Sequence, residues 1–364
     1  MAAICTVAAI PNCWYHGQRS IMAMNFLTGG DVAPIRKTGL GMFGGIAAHF
    51  RRADVSFFNL ELPLSERGEA VRGKGICHRG PPAGIDGMIE AGVSCVNLAN
   101  NHILDYGDGA MFDTIDLLDR HAIGHFGAGR NLGEARTGCI IEKSGLRIGF
   151  LGYTTTLPAG FAAAPDSPGV NPLQAYTAYQ PQASVLEYPA TAPRIVSWTD
   201  PAHLRGLRED IQSLRGRVNL VIVYVHWGAS MSPRVHDFQR EIGKAAIDAG
   251  AHAVFGGHQH VMSAIEFHLG CPIVHGSGNL LFDTRPSFFT DETLKTFLFG
   301  ATITTDGLRD CHLLPVKAGV NVPPCLLSRG DPLWRAILDD LQEHGRAFGT
   351  EVVAREDGIE VRRG

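Results

Sequence analysis

A chain of 364 residues with 45% hydrophobic and 19% charged residues has the make-up of a globular protein with a substantial core. Its formal charge of −4 gives no electrostatic reason to expect nucleic acid or an anionic membrane as partner. The longest apolar runs fall short of the roughly 20 residues a spanning helix needs, and the eight cysteines, with no CxxC spacing, fit reduced thiols in a cytoplasmic protein.

Residues 1–20 lack the basic start and apolar length of a secretory signal and are read as an N-terminal extension, with 21–364 as one domain. IMAMNFLTG then reads as a strand, LGMFGGIAAHFRRA as a helix, VSFFNL as a strand and PPAGIDGMIEAG as a helix opened by its prolines. VSCVNLA is a strand and GAMFDTIDLLDRH an amphipathic helix, and CIIEKSGLRIGFLGY is a hairpin turning at Ser144 and Gly145. Residues 158–198 hold seven prolines, with Phe161, Tyr176, Tyr179 and Tyr188 irregularly spaced. That aromatic content argues against simple disorder, so the segment is read as a lid or rim over the pocket, a surface excursion being the alternative. HLRGLREDIQSLR, NLVIVYV, DFQREIGKAAIDAG and AHAVF continue the alternation of helix and strand. Strand pairs IEFHLGCPIVHG and LFGATITTDGLRDCHLLPV follow, then the amphipathic WRAILDDLQEHGRAF. This mixture of βα units and hairpins predicts two packed mixed sheets flanked by helices.

Polar residues fall at the ends of these strands. Asp31 follows MNFLTGG, Glu61 ends VSFFNLE, Asn100, Asn101 and His102 close VNLANNH, His226 closes LVIVYVH, and His258 and His260 sit in GGHQH. Singly, each has an ordinary explanation as a turn, cap or core residue. Five such endings point instead to one centre at the C-terminal edge of the strands, where open α/β sheets bind ligands. Gly256 and Gly257 supply the bend that aims both imidazoles one way. A mixed oxygen and nitrogen donor set suits one or two divalent ions such as Mn, Zn or Fe.

The ordered segments GDVAPIR, NLELPL, LANNHILDYG, HFGAGRN, IGFLGYT, VHWG, GGHQH and GSGNLLFD, between about Phe26 and Asp283, resemble the bacterial CapA family of poly-γ-glutamate capsule biosynthesis proteins, within the calcineurin-like metallophosphatase superfamily. The resemblance implies a four-layer α/β/β/α sandwich. It implies one ion on Asp31, Glu61 and His260 and a second on Glu61, Asn101, His226 and His258, with Glu61 bridging. His102 takes the part of general acid, with Asp105 either its orienting partner or a turn contact. Arg36 matches a basic residue of the family that would hold a substrate carboxylate or phosphate. His78, Arg79, Tyr176 and Asn279 are further candidates for the substrate cleft, each with an ordinary loop or turn reading beside it. The family's superfamily usually places a histidine two residues after the first aspartate, where this chain has Ala33. The expected activity is hydrolysis of an amide, lactone or other carboxylic derivative, the substrate being a small molecule or γ-glutamyl-type compound. A metallophosphoesterase and a non-catalytic polymer-binding or capsule-assembly factor are the alternatives, and a homo-oligomer is left open.

Overall fold

The computed structural model describes residues 23–284 and 289–364, so the reading of residues 1–20 lies outside the described residues. The first half alternates as expected: β1 (Met24–Ala33), α1 (Ala47–Arg52), β2 (Val55–Leu60), α2 (Ile85–Ala91), β3 (Cys95–Asn97), α3 (Asp108–Arg120) and β4 (Gly124–Phe126). These strands pair in parallel in that order. The helix expected from Leu40 is shorter than its apolar spacing suggests. Gly44, at φ 49, opens a 3-10 turn, and the α-helical part begins only at Ala47.

The middle contains β5 (Ala128–Gly129), α4 (Leu132–Thr137), β6 (Cys139–Lys143), β7 (Leu146–Thr154), β8 (Gly169–Val170), β9 (Ala175–Gln180) and β10 (Arg194–Thr199). Ser144 at φ 51 and Gly145 at φ 77 give the β6–β7 turn two left-handed residues in succession, the backbone a tight hairpin demands. There follow α5 (Pro201–Arg215), β11 (Leu220–His226), α6 (Asp237–Asp248) and β12 (Ala253–Gly257). Asp200 caps α5 by accepting from the amides of Ala202 and His203, with Pro201 as the first helical residue. The chain ends with β13 (Ile265–His268), β14 (Cys271–Val274), β15 (Asn279–Phe282), β16 (Lys295–Thr304), β17 (Gly307–Lys317), β18 (Cys325–Leu326), α7 (Pro332–Arg346), β19 (Thr350–Arg355) and β20 (Gly358–Arg363).

The larger sheet runs β19-β20-β17-β16-β1-β2-β3-β4, with β15 also on β1 and β18 on β17; the smaller runs β13-β14-β12-β11-β7-β6. Period-two alternation sorts side chains into layers. Leu220, Ile222 and Tyr224 of β11 face the inter-sheet core, whereas Val221, Val223 and Val225 pack on α5 and α6. Between the sheets, Phe57 meets Phe26, Phe126, Phe150 and Phe255 at ring-centroid distances of 5.5–6.1 Å. The other face of the larger sheet buries Phe58, Leu60 and Val96 against Phe50, Met88 and Met111 of α1, α2 and α3. The result is the four-layer α/β/β/α sandwich, with Trp334, Ile337 and Leu341 of α7 joining the inter-sheet core. Among the described residues, no helix is long and apolar enough to cross a membrane.

Residues 158–198 do not form one unit. Phe161 and Val170 are buried in the core beside α1–α3. The β9–β10 ribbon instead rests on α6, where Thr199 donates to Glu241 (2.8 Å) and Phe238 to Ser197 (3.4 Å).

Candidate metal centre

Asp31 at the end of β1, Glu61 just after β2 and His226 at the end of β11 are all fully buried. Donor atoms of Asp31, Glu61 and His260 lie within 4.8 Å of one another, and so do those of Glu61, His226 and His258. Glu61 therefore stands between the two groups. Asn101 joins the second group through its Oδ1, 2.7 Å from His226 Nε2.

The loop after β12 turns both histidines inward in a way the glycines beside them do not explain. The left-handed residues are His258 (φ 86) and His260 (φ 58) themselves. Such a backbone costs roughly 1–3 kcal/mol at each non-glycine residue and clusters at functional sites. Gly257 is needed for space: a Cβ there would run into Tyr224 Oη and lie 2.5 Å from Asp31 Oδ1.

Asp31 is clamped. Its Oδ1 accepts from Asn59 Nδ2 (2.9 Å) and Tyr224 Oη (3.0 Å), and its Oδ2 from the His258 amide (3.0 Å). Burial, then the Asp31 charge, holds the Tyr224 hydroxyl well above its ordinary pKa, so it stays a donor. Glu61 is the opposite case. Both of its oxygens are buried without a hydrogen bond, although His226 Nε2 lies 3.3 Å away. Burial, then the neighbouring Asp31 charge, pushes its pKa well above the usual range. Burial pushes His226 down to about 4 and, followed by the charges of His226 and His260, His258 well below its usual value. Neutral imidazoles are the form that binds metal. Desolvated carboxylate oxygens and the partnerless Nδ1 of His258 form a costly arrangement that a divalent cation would satisfy. The residues fit such an ion, and their mixture of N and O donors suits the borderline metals.

Beside the two groups, Asp105 gathers three donors: His102 Nδ1 (2.6 Å), the His78 amide (2.6 Å) and Lys74 Nζ. Burial raises Asp105 to about 6 despite Lys74, leaving it mainly ionised at neutral pH. Its acceptor role fixes the proton of His102 on Nδ1 and leaves Nε2 with the lone pair. Burial, then the charge on Lys74, keeps His102 neutral. Lys74 also donates to the Asn101 carbonyl, so one ammonium ties a metal-ligand candidate to the His102 pair. Lys74 escaped the sequence reading because it lies in an aperiodic loop; its place in KGICHRGPP, four residues before His78, was the available signal.

The remaining candidates divide. Asn279 sits opposite Asp31 in the β1–β15 register, and its Oδ1 accepts from His260 Nδ1 (2.9 Å). The His78 ring lies 4.6 Å from that of His102. Arg36 is not brought forward as a substrate clamp: its Nε (2.8 Å) and Nη2 (2.6 Å) both donate to Asp283. Arg79 braces a loop, donating to the carbonyls of Glu66, Arg67 and Gly68 with its guanidinium 4.2 Å from the Tyr106 ring centre. Tyr176 belongs to the ribbon on α6, bonded to Asp200 (3.1 Å) and packed on Trp198, because the strand it occupies pairs with β10.

The model of a bacterial capsule synthesis protein family, PGA_cap, matches residues 26–284. The chain belongs to that family. The PGA_cap match spans every metal-ligand candidate and stops before β16. The chain is 28% identical over 276 residues to the PGA biosynthesis protein CapA of Bacillus subtilis (strain 168), covering 74% of this chain and 65% of the relative. It is 25% identical over 245 residues to the capsule biosynthesis protein CapA of Bacillus anthracis, covering 66% of this chain and 54% of that one. It thus spans less than two thirds of the length of either relative. A hypothetical protein from Thermus thermophilus, solved by crystallography, superposes with a TM-score of 0.46 at 16% identity, over 81% of this chain and 100% of that one.

Proposed function

We propose that this PGA_cap protein is a metal-dependent hydrolase acting on an amide, lactone or other carboxylic derivative, of which a γ-glutamyl compound is one kind. The observation that carries this reading is Glu61, whose two buried oxygens accept no hydrogen bond and which belongs to both clusters of N and O donors. Asp31, Glu61 and His260 would hold one divalent ion, and Glu61, Asn101, His226 and His258 a second. Ions so held supply a nucleophile at neutral pH and Lewis-acid polarisation of a substrate oxygen. The chain does the rest. Tyr224 and Asn59 hold Asp31 in place, Asp105 holds the Nδ1 proton of His102, and the Nε2 lone pair takes a proton from the attacking water and passes it to the leaving group. The six described cysteines are free thiols, which supports a cytoplasmic setting as part of the proposal.

The test is an assay of Mn-, Zn- and Fe-loaded protein against γ-glutamyl amides, lactones and a generic phosphoester. Turnover of a carboxylic derivative, reduced about 10²–10⁴-fold in His102→Ala, is expected. Cleavage of the phosphoester alone would assign the site to phosphoester chemistry, and no turnover at full metal occupancy would overturn the enzymatic reading.

A further inference from the structure

At the other end of the sandwich lies a groove of about 620 Å³, between the β13–β14 hairpin, the start of β17 and the β19–β20 hairpin. Leu308 pairs with Ile303, which pairs with Met24, so the groove adjoins the start of β1. At about 3.3 Å per residue, this is roughly 23 Å from Asp31. The volume falls within the range of small-molecule sites.

Its lining joins an apolar floor of Phe267, Leu308 and Val361 to four arginines, Arg309, Arg355, Arg362 and Arg363, facing two carboxylates, Asp310 and Glu360. Two of the arginines are committed. Arg355 pairs with Glu360 (2.5 Å), and Arg362 with Glu351 (2.8 Å) and Glu360 (3.2 Å). Among the described residues Arg309 and Arg363 have no ion pair, and Asp310 makes none with either. The backbone serves this placement. Asp310, next to Arg309, takes φ 51 in the bulge where the β16–β17 register shifts between Gly300 and Thr302. Arg363 continues the side of β20 that buries Ile359 and Val361.

We infer that this groove is a second binding site, separate from the metal centre, for a small organic dianion whose acidic groups meet Arg309 and Arg363 while its apolar body covers Phe267 and Leu308. Guanidinium forks grip carboxylate and phosphate oxygens in pairs of hydrogen bonds, so both acids share the required chemistry. The site does not depend on the hydrolase reading.

Calorimetric titration of the full chain, stripped of metal by chelator, tests it with phenylphosphonate, phthalate and the monoanion benzoate. Phenylphosphonate, phthalate or both bind saturably and at least 10-fold more tightly than benzoate, which of them does so identifying a phosphate-like or dicarboxylate ligand. Arg309→Gln/Arg363→Gln weakens that binding at least 10-fold with the melting temperature unchanged, and Arg309→Glu weakens it further. Equal binding by wild type and the double variant, or no saturable binding by wild type, would overturn the inference.

Discussion

The two ends of the sandwich handle charge by opposite means. At the C-terminal ends of β1, β2 and β11, ionisable groups are taken out of water and left incompletely satisfied, as with Glu61. At the far end, arginines stay in solvent around an apolar floor. Burial gives the first end strong, directional demands at a cost in stability; exposure gives the second weak demands at almost no cost. Stability and binding should therefore oppose each other at the first end and be nearly independent at the second.

The sharpest way to break this contrast is Glu61→Gln. Elemental analysis should show the bound metal lost, with activity falling more than about 100-fold, a larger effect than the usual removal of an orienting partner. Melting of the metal-free variant should be no lower than that of metal-free wild type, since an uncompensated carboxyl is gone. Metal uptake by wild type should also release a proton. Burial and the Asp31 charge raise the Glu61 pKa and so favour its protonated form until metal binds, whereas coordination requires the ionised form, and titration in buffers of differing ionisation enthalpy would detect the release. A melting temperature that drops sharply in Glu61→Gln would mean that the carboxylate is a structural partner after all. Tyr224→Phe should be milder, about 10–100-fold in metal affinity, because Asn59 and the His258 amide still hold Asp31.

A smaller effect sharpens the contrast elsewhere. Glu266 is buried, which alone would raise its pKa, yet hydrogen bonds from His275 and Arg240 hold it well below the usual range. A lowered folded-state pKa stabilises the fold above the unfolded value, about 4.3, and that contribution disappears as pH falls through the folded-state value. The deficit in melting temperature of Glu266→Gln should accordingly be greatest near pH 7 and shrink progressively below about pH 4. A constant deficit would show that packing, and not charge, is responsible.

The metal-ligand candidates were legible because each interrupts an apolar strand at its end, and strand ends are where a sheet gathers side chains. Asn59 and Tyr224 were hidden by the same logic: inside VSFFNL and LVIVYV they read as ordinary strand residues, and only register brings both to Asp31. Arg36 read as available since its partner, Asp283, is 247 positions away. Period alone also overestimated the helix before α1, where Gly44 imposes a different turn. The C-terminal hairpin passed unread, although Asp357-Gly358 between alternating runs is a turn signal.

The pairing of β1 with β16 has a consequence for biosynthesis. Phe26 lies opposite Ala301, 275 residues further along the chain. At about 5–20 residues per second, a ribosome needs roughly 15–55 s to deliver that partner. Throughout that interval the nascent first strand has one hydrogen-bonding edge open, a template for wrong pairing until Ala301 and its neighbours emerge.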